Sequence, residues 1–249
     1  DDIFRRNMIV KDGKNHGLVM YIDWSGSMSN CLLDTVRQLT QLVFFCKKQN
    51  IPFQVYAFSS VMPDNFEITD TTQRSWVRRD ASLDHKTNNP NDYREFMHDF
   101  KLLNLISSDL KSNEFKRALE NMYMMAISNT GSSHYYCIPD RLRLASTPLD
   151  EAILAACTMV PEFKRNNKLQ VVHTIFLTDG ETSGGVRQYS KRTPSFFRDK
   201  KKHKDYKIIG SSTDTLLRIL REKTESNVIG FYIYGGRALR SSDMEKYLR

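Results

Sequence analysis

Apolar and polar positions fall into blocks of two different periods along the chain. Leu18-Val19-Met20-Tyr21-Ile22 is a short uninterrupted apolar run, the pattern of a strand buried on both faces. Leu32 to Lys48 then places Leu32, Val36, Leu39, Val43 and Cys46 at three- and four-residue steps, which is one face of a helix. Asn50-Ile51-Pro52 ends that helix, and Phe53-Gln54-Val55-Tyr56-Ala57-Phe58 reads as a second strand. A strand-helix-strand unit predicts a parallel pair joined by a right-handed crossover.

From about residue 62 to 140 the pattern changes. Short β-like pieces at Phe66-Glu67-Ile68 and Trp76-Val77 precede a polar stretch from Asp84 to Asp92. Two helical patterns follow, near Tyr93 to Leu105 and Asn113 to Ile127, and Asn129-Thr130-Gly131-Ser132-Ser133 breaks the chain. This stretch is expected to be an insertion or helical elaboration on the main fold. The main pattern resumes at Ser146-Thr147-Pro148-Leu149-Asp150-Glu151, a helix opening with Ser146 or Thr147 as cap, Pro148 in the first turn and acidic residues at the positive end of the dipole. That helix should run to about Phe163. A strand from Leu169 to Leu177, a basic segment, a helix near Ser212 to Thr224, a strand from Val228 to Tyr234 and a short helical pattern complete the order. Alternating strands and helices predict a Rossmann-like α/β fold: an open, mostly parallel sheet with helices on both faces.

Chemistry gathers at the ends of two of these strands. Asp23-Trp24-Ser25-Gly26-Ser27 follows the first apolar run, so one carboxylate and two hydroxyls emerge where the strand stops. A plain strand-to-helix turn with a capping serine would explain Ser25 and Ser27 equally well. Val171 to Leu177 is a second buried-strand run, and it delivers Asp179 in the same way. If the two strands are neighbours, both carboxylates face one crevice at the carboxyl edge of the sheet.

Asp23-x-Ser25-x-Ser27, then Thr147, then Asp179-Gly180, resembles the von Willebrand factor A domain and its metal-ion-dependent adhesion site. Thr147-Pro148-Leu149 and Leu177-Thr178-Asp179-Gly180 also resemble the usual settings of the last two parts. The resemblance covers most of the chain outside 62–140, with residues 1–16 as a lead-in and 17–249 as the domain. It implies a magnesium ion, with manganese or calcium as alternatives. Ser25 and Ser27 would bind the ion directly and Thr147 directly or through water, while Asp23 and Asp179 act largely through bound water. Such a site leaves one position open for a carboxylate from a partner protein. Thr130 is the rival for the threonine role; Thr147 is preferred because it precedes a strong helix and lies closer to the family's usual position.

Within that family the chain is similar to the intracellular branch, the cobaltochelatase-subunit-like proteins, including those encoded by tailed phages. This implies an adaptor or subunit working with a MoxR-type AAA+ ATPase in the cytoplasm, or in the host cytoplasm or virion if the chain is phage-encoded. The alternative is a structural or virion-associated protein that uses the same surface for assembly. A metal-assisted hydrolase is the weakest reading, because neither a phosphate-binding glycine loop nor a nucleophile with a base is visible. The family's last strand follows a final helix, whereas this chain starts at Asp1 and stops at Arg249 within that helix; the expectation is therefore a segment of a larger protein.

Composition changes the picture little. The 249 residues are 40% hydrophobic and 11% aromatic, enough for a packed domain. Four cysteines, Cys31, Cys46, Cys137 and Cys157, are too scattered for a disulfide framework or zinc site, and Cys46 and Cys157 fit helical apolar faces. No secretory leader and no apolar stretch of membrane-spanning length is seen, so no membrane partner is expected. The net charge is +8. Arg187 to Lys207 interleaves basic residues with Tyr189, Phe196, Phe197 and Tyr206. An acidic protein partner is preferred over a nucleic-acid strand for that segment, and an ordinary solvated loop is the simplest reading. His173 is expected as a core histidine, Trp24 as a packed residue, and Met122, Met124 and Met125 as core.

Overall fold

A computed structural model describes residues 15–60, 100–130, 139, 142–180, 182, 196–199, 202–208 and 211–233. Five strands form one sheet in the order β3-β2-β1-β4-β7. They are β1 (His16–Asp23), β2 (Phe53–Ser60), β3 (Phe100–Ser107), β4 (Val171–Thr178) and β7 (Asn227–Tyr232). All neighbours are parallel except β2 and β3, which run antiparallel. The hairpin strands β5 (Phe196–Asp199) and β6 (Lys204–Lys207) form a separate two-stranded sheet.

β1 sits at the centre, and its alternation divides the core in two. Met20 and Ile22 point to the side packed by α1 (Leu32–Lys48) and α2 (Ser112–Asn129). Val19 and Tyr21 point to the side packed by α3 (Leu149–Asn166) and α4 (Ser212–Thr224). The fold is thus a mostly parallel α/β sheet with helices on both faces, as the element order predicts. A five-residue 3-10 turn, Gly26–Asn30, separates β1 from α1.

One element differs from the sequence reading. Phe100 to Leu105, expected within a helix, belongs to β3, the antiparallel edge strand. The register shifts between Val55 and Tyr56, and Leu105 and Ile106 both reach the α1 side of the core. A bulge of this kind breaks the two-residue period, leaving three- and four-residue steps that mimic a helix. α2 forms where its pattern predicts and packs on α1 and β3, so 100–129 contributes to the main layers. The pieces at 66–68, 76–77 and 84–99, the segment 183–195, the lead-in to residue 14, Cys137 and the C-terminal helical pattern lie outside the described residues.

The amino ends of the parallel strands are tightly closed. A Cβ on Gly17 would lie 2.4 Å from Leu169 Cδ1 and 2.9 Å from Phe163 Cε1, so any larger residue at the start of β1 would push those side chains aside. Asn50, Lys168 and Glu225 take left-handed backbone angles just after α1, α3 and α4, turning each helix sharply into its next segment.

Candidate functional site

β1 and β4 are neighbours, and Ile22 pairs with Leu177. The next residues along the two strands, Asp23 and Thr178, therefore stand side by side at the carboxyl edge. Thr178 Oγ1 donates to Asp23 Oδ2 at 2.7 Å. α1 follows β1 on one face and α4 follows β4 on the other, so this edge is a switch point where a crevice opens.

Beyond β1 the turn brings the hydroxyls together. Ser25 and Ser27 Oγ lie 2.9 Å apart, and Ser27 Oγ donates to Asp179 Oδ1 at 2.8 Å. Neither serine acts as a simple cap: the Ser25 side chain makes no capping bond to the 3-10 turn it precedes. Both hydroxyls are committed to the cluster instead.

The third segment is held by backbone rungs. Gly26 N donates to Ala145 O at 2.9 Å and Ala145 N to Trp24 O at 3.2 Å, forming a bridge between Ser25 and Ala145. Ser146 N donates to Ser60 Oγ at 3.1 Å. These bonds fix the strand ahead of Thr147, which is buried, and Thr182 Oγ1 reaches the Thr147 carbonyl at 3.4 Å. Thr147 does not cap α3; the cap position falls on Pro148, later along the chain than the Ser146 or Thr147 of the sequence reading, with no side-chain bond there. Thr130 instead donates to the Ile127 carbonyl at the end of α2.

Trp24 is fully buried and donates from Nε1 to Leu142 O at 3.0 Å, so it packs beneath the turn as expected. Ser59 Oγ, donating to Trp24 O at 2.7 Å, braces the same turn from β2.

The electrostatics single out Asp23. It is fully buried, and its Oδ1 has no hydrogen-bond partner. Burial pushes its carboxyl up to about 6 against hydrogen bonding from Thr178 and, more weakly, from the hydroxyl and backbone N–H of Ser25, and the nearby charge of Asp179 adds to the rise. Burial also raises the thiol of neighbouring Cys31, with the Asp179 charge next in weight. An uncompensated carboxylate oxygen in a dry site is costly, and a cation is the group that satisfies it.

Hydroxyl and carboxylate oxygens are the donors that hard divalent ions accept. Among the described residues there is no group of three or more His, Cys, Asp and Glu placed to hold a metal. A cation at this edge would therefore have to draw on the hydroxyls of Ser25 and Ser27. Sequence reasoning found both carboxylates and both serines but missed Thr178 as a partner of Asp23. The parallel register was the signal, since it sets residue 23 beside residue 178.

The other candidates divide. The described part of the basic segment is not a simple loop: β5 and β6 pair, and Tyr206 is buried with its hydroxyl 3.2 Å from Glu222 Oε2. Lys204 and Lys223 pair with Glu222 and Asp199, and Arg198 with Asp205. These contacts dock the hairpin on the last turn of α4, whose first turn meets the start of α3 through Asp150. The hairpin is thereby anchored to the end of α4 rather than to the carboxyl-edge cluster. His173 is only partly buried and stacks on His16 at 5.3 Å, at the opposite edge of the sheet. Met122 is buried whereas Met124 is half exposed.

No known protein family matches the sequence, and no curated protein is similar to it. Among solved structures, the pilus adhesin SpaC from Lactobacillus rhamnosus GG, in its open conformation, is 12% identical over 88% of this chain with a TM-score of 0.43. The chain spans about a quarter of that adhesin, 24% of its length. The conserved hypothetical protein BatB from Bacteroides thetaiotaomicron is 14% identical over 88% of this chain and 91% of its own, with a TM-score of 0.35. Neither likeness bears on what this chain does. No described helix is long and apolar enough to cross a membrane.

Proposed function

We propose that the chain is a cation-dependent protein-binding module of the von Willebrand factor A type. Its site would comprise Asp23, Ser25, Ser27, Thr147 and Asp179, with magnesium the first choice and manganese or calcium as alternatives. The observation that carries the reading is the buried, unpartnered Oδ1 of Asp23 beside the serine hydroxyls and Asp179. A bound ion supplies a positive centre at the sheet edge to which an acidic side chain of a partner can attach. In this reading Asp23, Ser25, Ser27, Thr147 and Asp179 hold and orient the ion and its water.

The partner we propose is a ring-forming AAA+ ATPase, with this chain as its adaptor or subunit. That choice rests on the sequence resemblance to cobaltochelatase-subunit-like proteins. The test is capture of a MoxR-type ATPase from the same genome by the purified chain, with magnesium or with a chelator. Capture should require magnesium and disappear with Asp23→Ala. Assembly of the chain into particles regardless of metal would overturn the adaptor reading in favour of a structural role.

A further inference from the structure

Thr178 lies between two acceptors and one donor. Its Oγ1 is 2.7 Å from Asp23 Oδ2, 3.0 Å from Gly180 O and 3.2 Å from Gly180 N. A hydroxyl has one proton to donate and lone pairs to accept with. The bond to a carboxylate is charge-assisted and the shorter of the two, so the proton belongs to Asp23. Gly180 N then donates to the hydroxyl oxygen. The backbone carbonyl of Thr178 is also engaged, accepting from Ile233 N at 2.8 Å. Thr178 is thus fixed by β4, by the turn after it and by the segment after β7, and through its hydroxyl it fixes Asp23.

The consequence concerns which oxygen Asp23 presents. Oδ2 is held by Thr178, whereas Oδ1 has no well-formed hydrogen bond and Ser25 acts on the carboxylate only weakly. We propose that Thr178 is the positioning residue of the cation site, selecting Oδ1 of Asp23 as the oxygen offered to the ion or its water and tying Asp23 to the Asp179-Gly180 turn. This inference rests on the cation-site reading above. Asp23 and Asp179 come from strands joined at this edge by the Thr178 bridge, and Ser27 reaches Asp179 across the same gap. Without the hydroxyl, Asp23 keeps its burial but loses the bond that sets its rotamer. Partners that orient metal-site groups typically change affinity about 10–100-fold when removed.

Magnesium titrated calorimetrically into the purified chain tests this, using wild type, Thr178→Val, Thr178→Ala and Thr178→Ser, each checked by circular dichroism for folding. The expected result is affinity about 10–100-fold weaker in the Val and Ala variants, and near wild type in Thr178→Ser, which retains the hydroxyl. Val suits a strand, and Ala provides a second truncation should Val disturb packing. If wild type binds and Thr178→Val or folded Thr178→Ala binds equally well, the positioning role is overturned while the cation site stands. A Ser variant as weak as Val likewise overturns the role of the hydroxyl. If wild type binds neither magnesium nor manganese nor calcium, the site reading itself fails and this inference falls with it.

Discussion

Asp23 and Asp150 are both fully buried carboxylates, and they are provisioned in opposite ways. Asp150, in the first turn of α3, receives Thr213 Oγ1 on Oδ1 at 2.5 Å and Ser212 Oγ on Oδ2. Both of its oxygens are engaged, and it staples the start of α4 to the start of α3, where the helix dipole also favours a negative charge. Asp23 has one oxygen engaged by Thr178 at 2.7 Å, while its Oδ1 has no well-formed hydrogen bond and Ser25 attracts the carboxylate only weakly. A buried charge with its hydrogen bonds filled is part of the scaffold. A buried carboxylate with an oxygen not engaged by the scaffold is a group that a ligand can satisfy.

Replacing each aspartate by alanine should separate the two roles. Asp150→Ala is expected to lower unfolding free energy by about 2–4 kcal/mol, whether magnesium or a chelator is present, since two charge-assisted bonds between helices are lost. Asp23→Ala should change metal-free stability far less and abolish the rise in melting temperature that magnesium gives the wild type. Chemical denaturation with and without magnesium reads both, and a magnesium-dependent loss in Asp150→Ala would break the distinction.

A smaller effect is expected at the floor of the site. Trp24→Phe removes the Nε1 bond to Leu142 O and part of a fully buried ring. A loss of about 1–3 kcal/mol follows from an unpaired carbonyl and a small void. Magnesium affinity should weaken only modestly, because the backbone bonds of Trp24 and Gly26 to Ala145 keep the turn that carries Ser25 and Ser27 in place. Urea melts and calorimetry on the same sample check this, and a fully abolished magnesium response would make Trp24 part of the site itself.

The smallest effect lies at the other edge of the sheet. Burial, and then the positive charge of His16, hold the His173 imidazole below its usual range. The folded state therefore binds a proton there less readily than the unfolded chain. Stability contributed by this pair is present at high pH and lost as pH falls through the unfolded value near 6.5. His173→Gln should slightly flatten the decline of melting temperature between about pH 7.5 and 5.5 that follows from that titration. An unchanged slope would show that the stacked histidines carry no such linkage.

Much of the fold was legible because its segments are strongly periodic. β1 and β4 read as apolar runs because parallel strands between two helix layers have no solvent face. α1, α2, α3 and α4 read as helices because their buried residues recur at three and four. β3 did not read correctly: its bulge sends Leu105 and Ile106 to one side, and an edge strand lacks a uniform burial pattern. The pairing of β5 with β6 was hidden by charges that look like a solvated loop until Glu222, Asp199 and Asp205 are seen to meet them.

The sequence by itself determined the alternation of strand and helix and placed Asp23, Ser25, Ser27 and Asp179 at strand ends. Those features depend on local period and on where an apolar run stops. The tertiary structure alone decided that β1 lies beside β4, that residue 23 faces residue 178, and that Ser27 crosses to Asp179. It also decided that Asp150 is satisfied while Asp23 is not. Hydrogen-bond satisfaction depends on which atoms meet across more than a hundred residues of chain, and no local pattern encodes that pairing.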